Sequence, residues 1–177
     1  NRVAREVGRL TYTQLLNSRG GIEADLTVAR LSEDHFYIVT GTGFRTHDYG
    51  WIADHLPADG VTFRDVTEDW GTLSLMGPRA RDILARGTQA DVSNAALPFG
   101  SAREIEIARV PTRALRVTYV GELGWELHIP IADLGTVYDA LIAADTDLRP
   151  VGYRALESLR LEKGYRAWSS DITPNDT

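Results

Sequence analysis

Over residues 22–31 (IEADLTVARL) apolar and polar positions alternate. Ile22, Ala24, Leu26 and Val28 face one way, and Glu23, Asp25 and Thr27 the other. A period of two is the signature of a strand with one buried face. Residues 8–16 (GRLTYTQLL) and 35–40 (HFYIVT) read as further strands. The turn at 17–21 ends in Gly20-Gly21, which supplies positive φ cheaply. Residues 116–130 (RVTYVGELGWELHIP) also alternate, and Gly121-Glu122-Leu123-Gly124 has the length and glycine content of a hairpin loop. Such a loop sets Val120 opposite Trp125, Tyr119 opposite Glu126 and Val117 opposite His128. Thr118, Val120, Trp125, Leu127 and Ile129 then form a core face. Val117, Tyr119, Glu126 and His128 form a more polar face, which suits either solvent or the wall of a polar pocket.

Elsewhere the period lengthens towards that of a helix. Residues 44–56 carry Asp48, Ile52 and Leu56 at i+4 spacing with Trp51 beside them. Pro78 opens a helix to about Arg86. Residues 132–144 place Leu134, Val137, Tyr138, Leu141 and Ile142 on one stripe, and residues 152–163 form a fourth helix. Strands are predicted at 61–66, 71–76 and 103–110, while 87–102 is too rich in small and polar residues to assign. The order partly repeats, which suggests two similar halves. The class is α+β, with antiparallel sheets and flanking helices.

Composition narrows the partners. The 177 residues suffice for one domain with a sizeable core, and 43% hydrophobic with 25% charged content is ordinary for a soluble globular protein. A net charge of -6 argues against nucleic acid or an anionic membrane as the main partner. The absence of cysteine rules out disulfides and thiolate chemistry and fits a reducing, cytoplasmic setting. No apolar run reaches membrane-spanning length, and no signal peptide opens the chain. The start at Asn1 and the loop-like ending ITPNDT lead us to expect a piece of a longer protein.

Two charged residues stand out. Asp25 projects from the polar face of its strand, either as a solvated carboxylate or as one held near a substrate to act as base or electrostatic stabiliser. Arg160 lies on a helix that is apolar much of the way round. It either snorkels to the surface along its aliphatic stem or is buried, in which case it needs a carboxylate. Glu126, Glu157 and Glu162 are the candidate partners. His35, His47, His55 and His128 lack metal-ligand spacing, and the glycines make no phosphate-loop or dinucleotide fingerprint.

The segments LTYTQLLNSRGGIEADLTVARL, LSLMGPRARDIL, RALRVTYVGELGWELHIP and LESLRLEKGYRAWSSDITPNDT together resemble the folate-binding domain of aminomethyltransferases, of which the glycine-cleavage T-protein is the type member. Trp125 in GELGWE and the tail from Lys163 are closest to the version fused to flavin-dependent sarcosine and dimethylglycine dehydrogenases. The resemblance implies one folate-binding domain over 1–177. A C-terminal β-barrel and an N-terminal flavin domain would lie outside it. It implies tetrahydrofolate as cofactor, with FAD only in the separate flavin module. A methylated amine or its iminium product would be the one-carbon donor. Asp25 matches the family's catalytic aspartate, although many T-proteins carry two adjacent acids where this chain has Ala24-Asp25. Tyr119 and Glu126 match pterin-contacting positions, and Arg160 matches the arginine of LRLEKG. The alternatives are a stand-alone folate-dependent amino- or S-methyltransferase, and a non-enzymatic folate-binding module. Members of the last kind carry a KGCYxGQE signature, where this chain reads EKGYRAW.

Overall fold

A computed structural model describes residues 1–176 and divides the chain into two compact units. The first joins Asn1–Thr67 with the chain from Ala167 on; the second is Glu68–Arg166. Both are antiparallel sheets with helices, so the fold is α+β.

The first unit holds β1 (Leu10–Leu16), β2 (Ile22–Arg30) and β3 (Phe36–Val39), in the order β1-β2-β3, followed by α1 (Arg45–Asp54). The alternation read along β2 is observed, with Ala24, Leu26 and Val28 buried. The side-chain carbonyl of Asn17 accepts from the amides of Arg19 and Gly21, both at 2.9 Å, which closes the β1–β2 turn. Gly21 has no room for a side chain, because a Cβ there would lie 2.1 Å from the Pro174 carbonyl oxygen. The tail is fastened to β2, since the Trp168 indole N–H donates to the Ile22 carbonyl at 3.0 Å. The strand expected at 61–66 does not form. Its residues are held by side chains instead: Phe63 stacks on Tyr49 at 4.8 Å, and Asp65 pairs with Arg45 at 2.6 Å.

The second unit holds β4 (Trp70–Met76), α2 (Ala80–Gly87), β5 (Ala102–Ile107), β6 (Val110–Leu115), β7 (Gly124–Pro130), α3 (Leu134–Ala144) and α4 (Tyr153–Glu162). Its sheet runs β4-β7-β6-β5. Trp125, Leu127 and Ile129 of the central strand β7 are fully buried and join Ile83 and Leu84 of α2 and Val137 and Leu141 of α3 in one core. Burying each such aliphatic side chain is worth about 1.5–3 kcal/mol.

The hairpin of residues 116–130 is a correction. His128 pairs with Arg113, Leu127 with Ala114 and Glu126 with Leu115, four residues away from the expected partners. Residues 103–110 are not one strand. The chain reverses at Ala108 and Arg109, whose φ angles of 51° and 69° make the true turn. Residues 116–123 are a connection rather than a strand and loop. Arg116 bonds through its backbone to Ser101 and Gly100, and the Leu123 carbonyl accepts from Gly77 at 2.8 Å. Trp125, Leu127 and Ile129 nevertheless lie in the core as expected, because a shift of an even number of residues leaves the strand faces unchanged.

Candidate functional site

β7 carries Glu126 on the face opposite Trp125. Ser74 of β4 and Leu115 of β6 flank it in register. Its side chain is 24% exposed, and its carboxylate stands 3.7 Å from Nε2 of His128. Among the described residues no group donates a hydrogen bond to it. Glu126 is therefore a half-buried carboxylate without a hydrogen bond among the described residues, with His128 beside Oε2. His128, read as part of a polar face, is buried, with Nδ1 3.3 Å from the Thr72 hydroxyl.

Tyr119 lies in the 116–123 connection and is not paired with Glu126. Its ring stacks on Tyr165 at 6.5 Å. Arg160 does not snorkel to the surface, being only 1% exposed. Its carboxylate partner is Glu157, one turn back on α4. Nε donates to Oε2 at 3.0 Å, and Nη2 pairs with Oε1. The remaining arm, Nη1, donates to the Tyr165 carbonyl at 2.7 Å. The guanidinium thus fixes the backbone of the residue on which Tyr119 stacks. Gly121, at φ 71°, brings the same connection beneath Lys163, whose Cγ would stand 2.3 Å from an added Cβ.

Asp25 belongs to the first unit, opposite Gln14 of β1. The Tyr12 hydroxyl donates to its Oδ2 at 2.7 Å. Tyr12 faces Thr27 in register, so it reaches Asp25 along the diagonal of the same sheet face. Glu23, two residues before Asp25, accepts from Asn17 Nδ2 at 2.7 Å and lies 3.7 Å from His47 Nε2. Ala24 is buried on the opposite face, so Asp25 has no acid next to it in the chain, and Glu23 is the other carboxylate on its face of β2.

The GCVT N-terminal domain family matches residues 1–177. The chain belongs to that family. This GCVT domain is 40% identical to human mitochondrial sarcosine dehydrogenase, over 99% of its own length and 21% of the relative's. It is 36% identical to mouse mitochondrial dimethylglycine dehydrogenase, over 96% and 20%. It is 33% identical to the aminomethyltransferase of Listeria monocytogenes, over 96% and 47%. The crystal structure of the glycine cleavage aminomethyltransferase T from Bartonella henselae superposes with a TM-score of 0.82 at 29% identity, over 96% of this chain and 45% of that one. The GCVT domain thus spans about a fifth of the dehydrogenases and under half of the transferases.

Sequence reasoning named Asp25, Tyr119, Glu126 and Arg160. It missed Tyr12 and Tyr165, the residues through which Asp25 and Tyr119 are held. Alternation along β1 and β2 could have found Tyr12. Tyr165 lies in a segment with no periodicity.

Proposed function

We propose that this domain binds tetrahydrofolate and carries out one-carbon transfer as part of a flavin-dependent dehydrogenase resembling those that act on sarcosine or dimethylglycine. The observation that carries the reading is the Glu126 carboxylate, half-buried on the central strand with no donor among the described residues. A reduced pterin presents an amino group and a ring N–H side by side, and one carboxylate accepts both in a charge-assisted pair. The donor set of the domain fits the cofactor: an open acid for the pterin edge and a ring, Tyr119, backed by Tyr165 to pack against its face. Arg160 keeps Tyr165 in place. Asp25, oriented by Tyr12, supplies negative charge to stabilise a developing cation or to hold a proton. Bound tetrahydrofolate would supply the nitrogens that take up the one-carbon unit, and positioning the two reactants accounts for much of such a transfer.

FAD has no fingerprint in this chain and is assigned to another module of the parent protein. Finding a dinucleotide-binding motif upstream of Asn1 in the parent gene would support this reading. Its absence there favours a stand-alone aminomethyltransferase, for which the similarity to the Listeria protein speaks. The folate assignment is tested by Glu126→Gln. An amide cannot accept both donors, so calorimetry should show tetrahydrofolate binding at least about tenfold weaker. Unchanged affinity removes Glu126 from the site.

A further inference from the structure

Arg81 and Arg116 meet on the helix-covered face of the second sheet without a carboxylate between them. Arg116 is 7% exposed, and its Nη1 donates to the Leu97 carbonyl at 3.0 Å and to Asn94 Oδ1 at 3.3 Å. Arg81 donates from Nε to the Val92 carbonyl at 3.0 Å and from Nη2 to the same Asn94 oxygen at 2.7 Å. The two guanidiniums lie over the ring of Trp125, 4.7 Å and 5.8 Å from its centre. One neutral amide oxygen is all they share. Among the described residues no acid comes within 4.0 Å of either, and Nε and Nη2 of Arg116 and Nη1 of Arg81 have no acceptor.

Other guanidiniums of the same unit are treated differently. Arg79 pairs with Asp145 and Asp147, Arg86 with Asp145 and Arg113 with Glu104. Arg81 is moreover the second residue of α2, at the positive end of the helix, where a cation is disfavoured. Burial, and then the charge of Arg81, push the Arg116 guanidinium below its ordinary pKa. Two like charges are thus held at the mouth of the 88–101 loop, whose Asn94 is open to solvent.

We propose that Arg81 and Arg116 form an anion site for a phosphate-class oxyanion. Their unfilled N–H groups match the fork-to-oxyanion geometry that guanidinium favours. A phosphate carries about 1.5–2 negative charges at neutral pH, which balances both arginines where a single carboxylate balances one. Trp125 and Glu126 are neighbours on β7, so the site lies on the opposite sheet face from the carboxylate assigned to folate. It stands whether or not that assignment holds.

The test is calorimetric titration of the protein with inorganic phosphate at constant ionic strength, with glutarate as a dicarboxylate comparison. One saturable phosphate site is expected. Arg81→Gln and Arg116→Lys should each weaken it about tenfold or more. Arg79→Gln, in which the lost guanidinium was already matched by Asp145 and Asp147, should bind as wild type does. Arg81 is only partly buried, so Arg81→Gln should melt near the wild-type temperature, and its titration carries the decision. No saturable heat at millimolar phosphate, or equal affinity in Arg81→Gln, overturns the site. Tighter binding of glutarate overturns the choice of phosphate.

Discussion

The phenol of Tyr12 donates a 2.7 Å hydrogen bond to Oδ2 of Asp25 across the β1–β2 pair. A carboxylate fixed in this way keeps one oxygen engaged and turns the other outward. If Asp25 stabilises charge during transfer, Asp25→Asn in the full-length parent should retain folate binding and slow transfer about a hundredfold. Tyr12→Phe, which removes the orienting bond at an exposed position, should slow it roughly fivefold, the worth of about 1 kcal/mol. Rapid-mixing single-turnover rates measure both. Full turnover in Asp25→Asn ends its catalytic assignment.

Arg160 joins Glu157 to the Tyr165 backbone. Arg160→Met leaves a carboxylate and a carbonyl without their donor, at a cost of about 3 kcal/mol in urea unfolding. Folate affinity should fall with it, since the Tyr165–Tyr119 stack loses its anchor. Arg160→Lys should recover little of either, because an ammonium cannot span both acceptors in the planar fork. A lysine variant with wild-type stability and affinity contradicts the anchoring role.

Gly124 opens β7 opposite Met76, and a Cβ there would stand 2.7 Å from Met76 Cγ and 2.9 Å from the Leu75 carbonyl oxygen. The carbonyl belongs to the adjacent strand and cannot swing aside. Gly124→Ala should therefore destabilise the protein by about 1–3 kcal/mol. Denaturant midpoints at unchanged m-value are the measurement, and an unshifted midpoint shows that β4 yields.

Asp65 is held at a pKa of about 2, below the usual 3.8, first by the Thr67 backbone amide and next by the Arg45 guanidinium. Asp145 is lowered as well, by the Asp147 amide and then by Arg79 and Arg86. A folded-state pKa below the unfolded one means stability that is complete above about pH 4 and lost as pH falls towards 2. Unfolding free energy should decline through that window, and Asp65→Asn should flatten the decline. An unaltered slope in this variant assigns the acid sensitivity elsewhere.

Much of the fold was legible because its strands obey simple alternation. β2 buries Ala24, Leu26 and Val28 and β7 buries Trp125, Leu127 and Ile129 as alternation says, although Ile22 is only partly covered and His128 is buried as well; α3 buries Val137 and Leu141 of its stripe and leaves Tyr138 exposed. What was not legible was the register of β6 on β7. The turn that leads into β6 joins it to β5 and is built by Ala108 and Arg109, in a left-handed conformation that sequence reading expects of glycine or asparagine. Gly121 and Gly124 meanwhile imitate a hairpin loop. Gly121 is needed for a backward bend under Lys163, and Gly124 for close approach to Met76. Pro111 further disguised β6, and it is tolerated because β6 pairs with β7 only from Arg113 to Leu115. The acid partner of Arg160 was open among three glutamates, and helix spacing at i−3 decides for Glu157.

The indole of Trp168 reaches back 146 residues to the carbonyl of Ile22. The first unit is therefore sewn from both ends of the chain, with all of the second unit inserted between the stitches. During synthesis β1, β2 and β3 leave the ribosome long before the strap that fastens them, whereas Glu68–Arg166 emerges as one continuous length. The inserted unit can mature first and shorten the span of loose chain, so that the closing stitch carries a smaller entropic cost.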